Sequence, residues 1–512
     1  MTTKTIKLPQ LSPYTINVFK KHPSKTDINQ LDHLVIVLPD EMSKDKWQKI
    51  QHSDLLESLY SKSDRSSKGI ATRSHLPNKN LTKVTIGCVQ KGRSSFQNLS
   101  QMRQLLSSVK AANKVGLLVS GFSRATHDEL SEALLSAALA ANFSLWTAKK
   151  SPKTNRQASR KRVSLSMFNA YASLPVDQIK AEAAGNNLNR WLTALPPNYL
   201  NSPNYIKLVK QLAKSKNWSC KHYTIAQLKR LGAEAFLAVA RGNPHQDAGI
   251  LHLTYRPSGK KGIAKPDLAL VGKGICFDTG GTNLKPHASM LGMKGDMGGS
   301  STALGSFLAL SEQKSDLTID CWLAITENCI DANAYLPSEV VTAINGTTIE
   351  VIHTDAEGRM ALADTLSLVS KTKPKLIMDF ATLTGAAVYS VTPRYSCVFT
   401  NRPHLHQDLI NHGVKTGERV WPFPQDEDYN DNLKSEVADT LQCSTKPGGD
   451  HILASLFLNK FVDNKSAWIH MDLSASENNG GLAHIPTKET GFGVRYTSRL
   501  ISEGSIFKNL KA

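Results

Sequence analysis

Leu268-Ala269-Leu270-Val271-Gly272-Lys273-Gly274-Ile275-Cys276-Phe277-Asp278 decides how the larger part of this chain folds. Its opening run, Leu268–Ile275, is nearly continuously apolar, as a strand buried on both faces of a parallel sheet must be. Two similar runs follow, Leu317–Ala324 and Leu376–Ala381. Helical patterns lie between and after them, at Ser300–Leu310, Met360–Ser370 and Ile452–Val462. Strands alternating with helices predict an open α/β sheet sandwiched by helices. Asp278 then falls at the carboxyl end of its strand, where sites form in such sheets.

Working outward, Val176–Leu195 reads as a connecting helix ended by Pro196-Pro197. Residues 176–512 make up the larger, second domain in this reading, and residues 1–175 a separate α/β domain. Leu34–Leu38, Val84–Val89 and Val115–Val119 are its strands, and Glu129–Ala141, rich in Ala and Leu, is a helix. Lys149–Arg156 is polar, basic and turn-rich, and predicts a surface loop. A length of 512 residues is itself too great for one ordinary core.

Composition narrows the class. Hydrophobic content of 40% and charged content of 21% fit a soluble globular protein. No apolar run approaches a membrane span, and the first residues carry no sustained apolar segment of signal-peptide type. The seven cysteines are dispersed without C-x-x-C spacing, which suits reduced thiols in a cytoplasm. The net charge of +19 is uneven: residues 1–175 hold 27 Lys+Arg against 11 Asp+Glu. A basic domain of this kind attracts polyanions such as nucleic acid, or is a solvated lysine-rich surface.

The chemistry gathers around His353-Thr354-Asp355-Ala356-Glu357-Gly358-Arg359. Asn345-Gly346-Thr347 between Val340–Ile344 and Thr348–Ile352 predicts a hairpin that delivers the chain into this segment. If the segment is extended, alternation puts Asp355 and Glu357 on one side. Carboxylates that close repel unless a divalent cation sits between them. With Asp278, and Asp296 just ahead of a helix, four carboxylates could bridge two ions. Neither G-x-G-x-x-G nor G-x-x-x-x-G-K-[ST] is present, and H-E-x-x-H and G-x-S-x-G are also absent. Nucleotide-loop, zincin and serine-hydrolase readings therefore fall away.

These stretches resemble the leucyl aminopeptidase (cytosol aminopeptidase) family of dinuclear-metal exopeptidases. The family pattern N-T-D-A-E-G-R-L-x-L-A-D is matched by His353–Asp364, and G-K-G-I-x-F-D-[ST]-G-G-x-x-x-K-P by Gly272–Pro286. Met293–Gly299 and Ala381–Ala386 match two further segments, and the likeness spans residues 185–500. The resemblance implies that Lys273, Asp278, Asp296, Asp355 and Glu357 are metal ligands, with Asp278 and Glu357 bridging. It implies two Mn²⁺ or Zn²⁺ ions, and a neutral Lys273. Lys285 then polarises the scissile carbonyl, and Arg359 holds a bicarbonate acting as general base. Met293, Thr382 and Gly385 would line the pocket for the N-terminal residue of a peptide substrate. The family also implies a homohexamer. His353 stands where the family has Asn, either as a harmless supporting donor or as a group that reshapes the leaving-residue side of the site or approaches a metal. A second reading, nucleic-acid binding through the basic first domain, is compatible with the first.

Overall fold

Alternate residues of the Leu268–Asp278 strand bury against opposite helix layers, which is why the run is apolar almost throughout. Leu268, Leu270 and Cys276 share a core with Leu304, Phe307 and Trp191. Ala269, Val271 and Ile275 share another with Met360, Leu362 and Phe236. The protein is thus α/β, with a sheet covered by helices on both faces. The computed structural model describes residues 6–63, 70–109, 112–149, 162–244, 247–258 and 265–510.

That sheet has eight strands in the order Val420–Pro422, Ser396–Thr400, Ala467–Asp472, Leu376–Ala381, Leu268–Asp278, Ile319–Asn328, Gly249–Tyr255 and Ser219–Thr224. Its centre is parallel, from Ala467–Asp472 through Ile319–Asn328. Ser396–Thr400 on one side, and Gly249–Tyr255 and Ser219–Thr224 on the other, run antiparallel to their inner neighbours. The helix Gly298–Glu312 lies directly on the central strands because glycine removes the obstacle. A Cβ at Gly272 would lie 2.4 Å from Ser300 Cα, and one at Gly299 would lie 2.1 Å from Phe380 O.

The first sheet orders Tyr14–Val18, Val163–Phe168, Lys114–Val119, His33–Pro39, Lys83–Val89 and Ile70–His75, parallel except for its last pair. Its faces alternate in the same way: Val35 and Val37 pack with Leu130 and Leu134, while Leu34 and Ile36 pack with Trp47 and Leu56. Between the two sheets runs Val176–Ala194, the helix expected at 176–195. It crosses Gly298–Glu312 closely, since a Cβ at Gly185 would lie 2.2 Å from Gly305 O.

Some boundaries differ from expectation. The helix expected at Glu129–Ala141 begins at Arg124, after Ser123. The strand expected at Leu317–Ala324 runs from Ile319 to Asn328, because buried Glu327 finds a partner in the backbone N–H of Ser202 at 2.9 Å. The helix expected at Ile452 starts at Asp450, where Gly449 at φ 66° turns the chain into it. The hairpin forms as expected, Val340–Thr342 pairing antiparallel with Thr348–Glu350. Lys149–Arg156 lies, apart from Lys149, outside the described residues. Among the described residues no helix is long and apolar enough to cross a membrane.

Candidate active site

Asp278 is the last residue of its strand and is 2% exposed. Its Oδ1 accepts from Gly280 N and Asn328 Nδ2, both at 2.8 Å, and its Oδ2 lies 2.9 Å from Lys285 Nζ. The chain then turns through Gly280 and Gly281, both with positive φ, and brings Lys285 back over the same carboxylate. Thr354 ties this turn to the second segment. Its Oγ1 donates to Gly280 O at 2.6 Å and accepts from Asn283 N at 2.8 Å, and its N–H donates to Asn283 Oδ1 at 2.8 Å.

The expected route by which Asp355 and Glu357 meet is corrected by the structure. Asp355 sits in a turn and Glu357 is the first residue of the helix Glu357–Lys371, so strand alternation plays no part. The turn nevertheless delivers both. Asp278, Asp355 and Glu357 each offer an oxygen, and these oxygens lie within 4.8 Å of one another. Asp296 reaches the group through Lys273, whose Nζ is 2.8 Å from Asp296 Oδ1 and 2.8 Å from Glu357 Oε1. Lys285 also pairs with Asp355. Six of the seven residues expected at the chemistry are therefore directly linked; the seventh, Arg359, two residues beyond Glu357, pairs instead with Asp450 and Gln442.

Electrostatics mark the cluster as unfinished by protein groups alone. Burial, reinforced by Asp278, holds the Asp355 and Glu357 carboxyls above the ordinary carboxylate range. Burial pushes Asp296 up to about 6 against the pull of Lys273. Burial disfavours the charge on Lys273 and Lys285, but the carboxylates around them outweigh it and raise both. Asp296 Oδ2 and Glu357 Oε2 are buried without a hydrogen-bond partner among the described residues. Carboxylate oxygens left bare in this way, next to two others at ligand spacing, suit hard divalent cations.

The three residues expected along a substrate pocket separate. Thr382 is committed to the cluster: its Oγ1 donates to Asp296 Oδ1 at 2.8 Å and its carbonyl accepts from Lys273 Nζ at 2.9 Å. Met293 is half-buried in the short turn Met293–Gly295 leading to Asp296. Gly385 is exposed, and a Cβ there would meet nothing within 4 Å. His353 is exposed, its Nδ1 accepting from Asp355 N at 3.3 Å, so its ring braces the turn. The sequence reading missed Asn328, Gln442 and Asp450. The first braces Asp278, and the other two engage Arg359. All three are distant in sequence from any motif and carried no local signal.

Residues 187–498 match the profile described as "Cytosol aminopeptidase family, catalytic domain". A probable cytosol aminopeptidase of Sulfurihydrogenibium sp. (strain YO3AOP1) is 37% identical over 321 residues, 62% of this chain and 62% of that one. The match thus spans a little under two thirds of that relative's length. One from Parasynechococcus marenigrum (strain WH8102) is 36% identical over 373 residues, 72% of this chain and 75% of the relative. Among solved structures, a mutant of tomato leucine aminopeptidase is 26% identical with a TM-score of 0.80, covering 96% of this chain and 97% of that one. The bottromycin maturation enzyme BotP, in complex with Mn, is 27% identical with a TM-score of 0.78, covering 92% and 99%.

Proposed function

The chain belongs to the cytosol aminopeptidase family, and on that premise we propose that it is a metal-dependent aminopeptidase, hydrolysing the N-terminal peptide bond of peptides. The observation that carries this reading is the trio Asp278, Asp355 and Glu357 at ligand spacing, flanked by the buried pair Lys273–Asp296 and by Lys285. Asp278, Asp296, Asp355, Glu357 and Lys273 would hold two divalent ions. BotP is described in complex with Mn, so Mn²⁺ is the first ion to supply, with Zn²⁺ the second.

Bound divalent cations supply the charge that makes water a usable nucleophile near neutral pH. The chain's own groups do the rest. The Lys285 ammonium, held by Asp278 and Asp355, is a fixed donor for the oxygen of the scissile carbonyl as charge develops there. Thr382 and Lys273 fix Asp296, so one ligand cannot swing away. An anion carried by Arg359 takes a proton from the attacking water, the place that family resemblance assigns to bicarbonate. Family resemblance likewise supports a homohexamer in the cytoplasm, the assembly being checked by light scattering.

Hydrolysis of a leucine chromogenic amide tests the reading. Activity should need Mn²⁺ or Zn²⁺, vanish with a chelator, and be lost in Asp355→Ala. A metal-reconstituted wild type that cleaves no member of an amino-acid amide panel would sink it.

A further inference from the structure

Arg359 is buried, with 2% of its side chain exposed. A guanidinium in such a place needs an anion beside it. Asp450, the first residue of the helix Asp450–Asn459, provides one: both Oδ1 and Oδ2 lie 2.8 Å from Arg359 Nη2. Arg359 Nη1 donates to the carbonyl of Gln442 at 3.3 Å. The Gln442 side chain in turn grips the turn that carries the metal-site carboxylates. Its Oε1 accepts from Ile352 N and His353 N at 3.1 Å each, and its Nε2 donates to Ala356 O at 3.0 Å. Asp450 is therefore joined to the Asp355–Glu357 turn through two residues.

Asp450 differs from the other acids of the site in one respect. Asp278 and Glu357 are sealed, whereas the Asp450 side chain is 43% exposed. An ionised carboxylate has about four lone-pair directions. Arg359 occupies part of them, and the exposed part is open to a proton donor. A second anion on the same guanidinium would lie against Asp450, and like charges at that distance repel. A protein carboxylate and an external bicarbonate thus compete for one cation, and the tethered group has no translational entropy to lose.

Resting on the function proposed above, we propose that Asp450 is the resident oxyanion of this site, standing on Arg359 in place of external bicarbonate and carrying the proton of the reaction. As the water oxygen bonds to the carbonyl carbon, one water proton passes to the Asp450 carboxylate. As the C–N bond breaks, the same proton passes from Asp450 to the nitrogen. The products are a carboxylic acid and an amine, and Asp450 ends ionised as it began. Neither oxidant nor co-reactant beyond water is required.

The test uses the full chain in buffer depleted of carbon dioxide. With Mn²⁺ supplied, the wild type should turn over a leucine amide at a rate that added bicarbonate leaves unchanged. Asp450→Ala should lose about 10²-fold or more in kcat, and bicarbonate or formate should restore part of it. Asp450→Asn fills the same space without accepting a proton, so it should lose activity and resist rescue. A second readout needs no turnover. The ¹³C line of bicarbonate should be broadened by the Mg²⁺-loaded Asp450→Ala protein and not by the wild type. Stimulation of the wild type by bicarbonate, an undiminished Asp450→Ala, or a loss that no small anion rescues would each overturn the proposal. If the wild type cleaves no aminoacyl amide, the aminopeptidase reading fails instead. The line width then still decides whether Asp450 fills the anion place on Arg359.

Discussion

Gly358 measures how tightly the side chains of the proposed metal site are fitted. A Cβ there would lie 2.5 Å from Lys273 Cε and 2.7 Å from Lys273 Nζ. Lys273 cannot retreat, being 3% exposed and pinned by Asp296, Glu357 and the Thr382 carbonyl. Gly358→Ala should therefore displace Lys273 and weaken metal affinity about 10–100-fold. Metal content after gel filtration, read by plasma mass spectrometry, checks this. Full metal retention would show that the lysine accommodates the methyl group. Lys285 is placed otherwise, with 13% of its side chain exposed and its Nζ over Asp278 and Asp355. Lys285→Ala should keep its metal and lower kcat by about 10²–10³-fold, the cost of losing one oxyanion donor. Steady-state kinetics at matched metal content separates the two variants.

At the scale of elements, the helix Val494–Ser502 depends on a group from elsewhere in the chain. Its free N-terminal donors Gly493 N and Tyr496 N both meet Glu418 Oε2, at 3.1 and 2.7 Å. An acceptor at a helix N-terminus satisfies donors that the helix cannot. Burial pushes the Glu418 carboxyl up to about 7, whereas in the unfolded chain it titrates near ~4.3. Between those values the folded chain keeps a proton that the unfolded chain has lost. The contribution is thus complete below about pH 4.3 and drains away as pH rises through about 7, with a full span on the order of 3 kcal/mol. Glu418→Gln has no proton to lose and keeps an oxygen for both N–H groups. Its stability relative to wild type should rise between pH 5 and 8 in urea melts, ~3 kcal/mol at most, and parallel profiles would refute the argument. Such long-range caps also mark where sequence reading stops. Leu268–Asp278 and Leu376–Ala381 were legible because both faces of each strand are buried and both faces are therefore apolar. Ser219–Thr224 was not, since an edge strand of Ser, Cys, Lys, His, Tyr and Thr has no reason to be apolar. The cluster of acids and lysines was legible because its residues fall in two short segments. Asp450 was not, because its meaning depends on Arg359, and nothing between positions 359 and 450 encodes that approach.

Across the whole molecule, the two sheets are joined by a buried ionic cluster between three helices. Glu132 on Arg124–Ala141 and Glu182 on Val176–Ala194 face Arg495 and Arg499 on Val494–Ser502. Arg495 Nη1 lies 3.0 Å from Glu182 Oε2, Arg499 Nη2 lies 2.9 Å from Glu132 Oε1, and Arg499 Nε donates to Glu182. Glu182, Arg495 and Arg499 are 4%, 6% and 8% exposed, so solvent screens them little. The worth of such a cluster lies less in net stability than in what its disruption leaves behind. Removing Glu182 leaves two buried guanidinium groups to share Glu132, and an uncompensated buried charge costs about 3–5 kcal/mol. Glu182→Ala should accordingly lower the unfolding midpoint in calorimetry by several degrees. The double variant Glu182→Met, Arg499→Met leaves Arg495 paired with Glu132 and fills the vacated volume with apolar atoms, so it should regain most of the loss. If the double variant is as unstable as the single one, the penalty comes from packing and not from stranded charge. Since these helices join the first sheet to the helix Val494–Ser502 packed on the second, the single variant should also separate one calorimetric transition into two, the part built on the first sheet melting ahead of the rest.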